Sequence, residues 1–201
     1  MATHTYIDLE IDEARYLANL VGVEYDLKTT IDWCDQFGQL MHDRDKYWLV
    51  EPMTTAILVR FTRAFGGGKR YPDTNHILSV LGKEEKEKYD YFRNVRSKHV
   101  AHSVNEFEDN QVKAYYIEGS EEKGINSIGL GCDRVIGLSS EDINSIRAIC
   151  QTLVTKVKSE MGIEKEKLLA FTSTYTAEDI MQGQMRVPKH PKDIDVTRNR
   201  R

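Results

Sequence analysis

The spacing of apolar residues changes along the chain and divides it into helices, a short β segment and a final helix. Over residues 9–21, Leu9, Ala14, Leu17 and Leu20–Val21 recur near helical spacing. Leu27, Ile31, Cys34, Phe37 and Met41 then follow at steps of three and four, the apolar stripe of a second helix. A third helix, over about 47–65, is apolar almost all round: Tyr47, Trp48, Leu49, Met53, Ala56, Ile57, Leu58, Phe61 and Phe65. Pro52 falls in its first turns, where a missing N–H matters least. Gly66, Gly67 and Gly68 stop it, and Tyr71–Pro72 opens a loop.

The fourth helix runs from about Lys83 to Ser103. Its first half, Lys83 to Lys88, is a solvated charged surface with i,i+4 pairing, and its second half changes character. Beyond Asn110 the period shortens. Val112–Ile117, and Ser127–Leu130 continuing through Val135–Ile136, read as the strands of a small hairpin. Ser139 with Asp142 three residues on is a capping box. Ile143, Ile146, Ile149, Leu153, Val157 and Met161 follow at helical steps, Gly162 closes that helix, and a short helix is expected over 163–170. The expected fold is mostly α, a helical bundle with a small β-hairpin insertion between the fourth helix and the last long helix. It forms one domain over residues 1–170, with a C-terminal extension over 171–201.

Composition narrows the class. Charged residues make up 30% of the 201 and the AVILMFWYC set 40%, the balance of a soluble globular chain. No apolar run reaches the roughly 18 residues a membrane span needs, and no charged-then-apolar leader opens the chain, so no membrane partner is expected. Cys34, Cys132 and Cys150 are odd in number and far apart, which fits a reducing cytoplasm and no disulfide framework. The net charge is −4. Residues 182–201 nevertheless carry six basic side chains against two acidic ones, so any nucleic-acid contact is local, in that tail or in a focused cleft.

The chemistry is concentrated in residues 93–102. Two overlapping copies of Arg-x5-His lie there, Arg93 to His99 and Arg96 to His102. On an α-helix, steps of three (Arg93, Arg96, His99, His102) drift about 60° each and form a slanted row on the surface. Arginine stays charged and offers a fork of donors that fits a phosphate bidentately. Histidine titrates near neutrality, so it can take a proton from a ribose 2′-OH or return one to a 5′-oxygen leaving group. A base, an acid and a cation over the charge developing at phosphorus are the parts of a metal-independent ribonuclease.

The stretch Arg96-Ser97-Lys98-His99-Val100-Ala101-His102-Ser103 resembles the signature of HEPN proteins, an arginine, a polar residue and a histidine a few positions on. It is most similar to the HEPN-like proteins of bacterial abortive-infection systems, whose motif helix often ends in Ala-His-Ser. The resemblance covers about residues 8–161, but only the motif segment is specific.

It implies an all-helical homodimer with two motif helices facing across a cleft. It also implies a metal-independent endoribonuclease that leaves 2′,3′-cyclic phosphate and 5′-hydroxyl ends, acting as a toxin or anti-phage effector. By the resemblance Arg96 would hold the scissile phosphate, His102 would be the acid or base, and Ser97 fills the polar position. The second register uses Arg93, Asn94 and His99. The implied partners are an RNA substrate, a second copy of the chain, and an antitoxin or partner defence protein. HEPN toxins paired with nucleotidyltransferase antitoxins carry a tyrosine two residues after the histidine, where this chain has Val104. The alternative is a non-catalytic HEPN module that binds RNA, a nucleotide or a partner protein.

Other features read more simply. Lys98, Arg60, Arg63, Lys69 and Arg70 are secondary RNA-binding candidates, although Arg60 and Arg63 stand on an otherwise apolar helix and are expected to be paired or at its rim. Gly66–Lys69 lacks the Walker spacing and follows a helix, so it is a helix stop. His99 and His102, with Glu106 and Glu108 after them, match no zinc pattern; neither a metal nor a cofactor is expected. Cys34 and Cys150 fall on apolar stripes as small core residues, and Tyr89 and Tyr91 are expected in the core or an interface.

Overall fold

A computed structural model describes residues 9, 12–66, 74–100, 108–116, 125, 127–134, 137–176 and 178. Helix α1 spans Asp12–Leu40 and α2 spans Val50–Arg63, with a 3-10 turn, Arg44–Leu49, between them. A second 3-10 turn, Asn75–Val80, leads into α3, Lys83–Val95, which passes directly into a π-helical turn, Arg96–Val100. Strands β1 (Glu108–Tyr115) and β2 (Ser127–Arg134) form an antiparallel hairpin, and α4 spans Ser140–Thr172. The fold is the expected one, mostly helical with a small hairpin between α3 and α4.

The first two expected helices are one. Leu20, Val23, Leu27, Thr30, Cys34 and Phe37 are all buried, in steps of alternating three and four. On α4, Ile143, Ile146, Cys150, Leu153 and Val157 repeat the same alternation. That is the spacing of two helices lying side by side along a continuous seam. They run antiparallel: Arg147 near the start of α4 pairs with Asp35 near the end of α1 at 2.6 Å, and Glu160 far along α4 accepts from the Tyr16 hydroxyl.

A break after Val21 is expected from sequence because the seam passes through polar residues. Thr30 is buried in it and donates through its hydroxyl to the carbonyl of Asp26 at 2.8 Å, and Asp26 is itself buried beside the seam, where α1 meets α2. The last helix is likewise longer than expected. Gly162 does not close α4, and the separate short helix over 163–170 is its continuation. The capping box is present, the Ser139 hydroxyl accepting from the Asp142 amide at 3.1 Å and Asp142 accepting from the Ser139 amide at 3.0 Å.

The other helices lie against this pair. Ile57, Leu58 and Phe61 of α2 and Tyr89 and Phe92 of α3 join the same core. Phe61 meets both α3 rings edge-on, with centroids at 5.3 and 6.2 Å. Tyr89 is thus a core residue and Tyr91 a surface one. Tyr47 and Trp48 belong to the 3-10 turn and face solvent; they are not part of an all-round apolar helix. After the hairpin the chain crosses α2 so closely that a Cβ at Gly137 would stand 2.6 Å from Val50 Cγ1. The Leu138 amide then donates to Thr54 Oγ1 at 3.3 Å, which places the start of α4.

Within the hairpin Val112 pairs with Leu130 and Ala114 with Ile128, an exposed apolar face, while the Tyr115 ring lies over Gly129 on the other.

Because α4 is continuous and a Cβ at Gly162 would meet nothing within 4 Å, Gly162→Ala should raise stability by about 0.5–1 kcal/mol in urea unfolding. A loss of that size would mean the helix turns off at Gly162.

Candidate functional site

The motif sits where the helix changes type. Tyr89, Phe92 and Val95 bury one face of α3 and orient the opposite face to water. Arg93, Asn94, Ser97 and Lys98 are exposed and Arg96 is half-buried. From Arg96 to Val100 the backbone is π-helical, so the chain widens to an i→i+5 pattern at the first residue of the favoured register. The slanted row expected from α-helical steps therefore does not extend past Val95. This turn lies beside α2.

Among the described residues neither Arg93 nor Arg96 pairs with a carboxylate, in contrast to Arg60, Arg63 and Arg147. Of His99 only the backbone is described, inside the π turn. His102, Lys69 and Arg70 lie outside the described residues, as do Val104 and Glu106.

Arg60 and Arg63 are brought together, one turn apart on α2, on buried Asp26 of α1. Arg63 holds the carboxylate with two donors, Nε at 3.2 Å from Oδ2 and a terminal nitrogen at 2.5 Å from Oδ1. Arg60 approaches Oδ1 at 3.3 Å and lies over the rings of Tyr25 and Trp33. The hydrogen bond to Asp26 pushes the Arg63 guanidinium further up from its ordinary value. Both arginines are thus paired, as their apolar helix required.

A second cluster was not legible from sequence. Glu160 of α4 accepts from the Tyr16 hydroxyl, from His76 Nε2 at 3.0 Å and from Lys156 at 2.9 Å. Tyr16, His76 and Glu160 come from α1, the turn before α3 and α4, and line a cleft of about 540 Å³ with Lys156 and Lys167. Burial works to raise the Glu160 carboxyl, but the bonds from Tyr16, Lys156 and His76 outweigh it and hold the group at about 2. An ionised Glu160 only accepts, so the phenol donates and the imidazole carries its proton on Nε2. Burial and the same carboxylate push the Tyr16 hydroxyl up. With the phenol held protonated, the cluster works as a clamp over three elements.

Neither Cys34 nor Cys150 offers a nucleophile. Burial pushes the Cys34 thiol up to about 12 and the Cys150 thiol well above its usual value, far from a thiolate at neutral pH. Among the described residues, no three or more His, Cys, Asp and Glu side chains gather to hold a metal ion, and no helix is long and apolar enough to cross a membrane. No protein-family profile matches the chain, and neither a curated protein nor a solved structure matches it.

Two outcomes follow. Asp26→Ala leaves two guanidiniums on one partly buried site without a counter-ion. It should destabilise the protein by about 2–3 kcal/mol in denaturant unfolding, below the cost of breaking a fully buried pair because Arg63 can turn to water. Arg63→Ala should cost less than Asp26→Ala. Glu160 has a folded value below its ordinary 4.5, so its contribution is present above about pH 4.5 and lost as pH falls toward 2. The stability difference between wild type and Glu160→Gln should shrink as pH falls across that window.

Proposed function

We propose that the chain is a metal-independent endoribonuclease of HEPN type, a toxin or anti-phage effector working as a cytoplasmic homodimer. The observation that carries this reading is the π turn starting at Arg96, beside an Arg93 and an Arg96 that no described carboxylate neutralises. Interruptions of this kind are frequent at functional sites, and an arginine without an internal counter-ion is available to an external anion.

In the proposed reaction Arg96 holds the scissile phosphate through two donors and His102 moves the proton. A ribose 2′-oxygen attacks phosphorus as a base takes its proton. The bond from phosphorus to the 5′-oxygen breaks, and that oxygen is protonated as it leaves. The products are a 2′,3′-cyclic phosphate and a 5′-hydroxyl. Arg93, Asn94 and His99 form the overlapping register, Ser97 stands beside Arg96, and Lys98 adds charge along the RNA path. A protein partner, an antitoxin or second defence protein, keeps such an enzyme silent.

The test is cleavage of total cellular RNA by the purified chain in excess EDTA, beside Arg96→Ala, His99→Ala and His102→Ala. Wild type should release cyclic-phosphate ends, and Arg96→Ala and His102→Ala should each lose at least about a hundredfold in rate while keeping the wild-type melting temperature. Cleavage indifferent to both substitutions would contradict the assignment. A wild type that neither cleaves RNA nor arrests growth on expression would favour the non-catalytic binding module.

A further inference from the structure

The cluster at the α1–α2 contact is more than a buried ion pair. The Arg60 guanidinium lies 5.1 Å from the centroid of the Tyr25 ring and 5.3 Å from that of Trp33, so it stands between two aromatic side chains of one helix. Its Nε is buried and has no hydrogen-bond partner, while a terminal nitrogen reaches Asp26. Ring faces thus flank this guanidinium beside the carboxylate.

Tyr25 is 63% exposed although Arg60 covers one of its faces, so its outer face is open to solvent. Arg63 next to it is 54% exposed and spends Nε and one terminal nitrogen on Asp26, and its other terminal nitrogen has no partner among the described residues. Both described guanidiniums reach the Asp26 carboxylate, and one of them, Arg60, lies over the open aromatic ring. An aromatic face backed by a guanidinium, with a second guanidinium at its edge, is the pairing that takes an unstacked base and its phosphate.

We propose that Tyr25, Arg60 and Arg63 form a stacking subsite for single-stranded RNA, with a base on the outer face of Tyr25 and the adjoining phosphate on Arg63. The inference rests on the ribonuclease reading for the choice of RNA and deepens it by naming the substrate form. A base paired inside a duplex cannot offer its face to the ring, so the subsite selects single strands. Its placement suits that role. Arg60 and Arg63 face α1 from α2, and α2 also borders the π turn that carries Arg96. The stacking ring and the motif turn are thus both neighbours of α2. Arg60, stacked and largely buried, is the positioning residue that backs the ring; Tyr25 and Arg63 are the contacts.

The experiment measures binding of a fluorescein-labelled oligoadenylate of eight nucleotides to the full chain in EDTA, by anisotropy, with every protein carrying Arg96→Ala so that no substrate is consumed. Tyr25→Ala, at an exposed position, should keep the melting temperature and weaken binding about tenfold or more. Tyr25→Phe, which keeps the ring, should bind as the parent does. A duplex of the same length and inorganic polyphosphate should compete poorly. Equal affinity of the Tyr25→Ala protein, equal competition by polyphosphate, or no binding by the parent would each overturn the subsite. Cleavage by the wild-type chain with Tyr25-independent affinity would sink this inference alone. Tyr25-dependent binding by a wild-type chain that never cleaves would sink the ribonuclease reading alone.

Discussion

The antiparallel seam between α1 and α4 is the constraint on which the other elements depend. Each helix presents buried side chains in alternating steps of three and four, and each fully buried Leu, Ile or Phe contributes about 1.5–3 kcal/mol over leaving it exposed. At 29 and 33 residues the two helices are about 44 and 50 Å long, and contacts near both ends set their register. The pair Arg147–Asp35 is surface-exposed and adds little energy; its value is in opposing any slide of one helix along the other. With that register set, α2 and α3 complete the core through Phe61, Tyr89 and Phe92, and the outer face of α3 is left to water.

Burying Asp26 where α1 meets α2 is costly. A carboxylate with almost no exposed surface is tolerated only with its charge met, and two arginines one turn apart on α2 meet it. The same choice determines how α2 is rotated. Arg60 and Arg63 must face α1, which turns Phe61 toward α3 and brings α2 alongside the π turn. A single buried charge thus links helix orientation, core packing and the surface on which RNA is proposed to lie.

Much of this was legible in the residues, for identifiable reasons. The Ser139 capping box, the stripe from Ile143 to Val157 and the shortened period of the hairpin are local signals, and each produced its element. Continuity of α1 was hidden because Asp26 and Thr30 look like surface residues until their partners are known. Gly162 looked like a stop because a glycine's penalty inside a long, otherwise regular helix is only about 1 kcal/mol, too little to end it. The convergence of Tyr16, His76 and Glu160 joins residues 60 and 84 positions apart, and no spacing rule reaches that far. In the motif, the residue types were readable but the π turn was not, since Arg96–Val100 carries no glycine or proline that would announce it.

The structure thus joins a two-helix seam to a motif turn whose backbone departs from the α-helix at Arg96. Native-state hydrogen exchange of the isolated protein, read residue by residue, tests it most directly. Amides of Leu20–Phe37 and Ile146–Val157 should exchange last and together, through global unfolding. Protection along the motif helix should drop sharply between Tyr89–Val95 and Arg96–Val100. Uniform protection from Lys83 through Val100, or a seam that opens before α3, would contradict it.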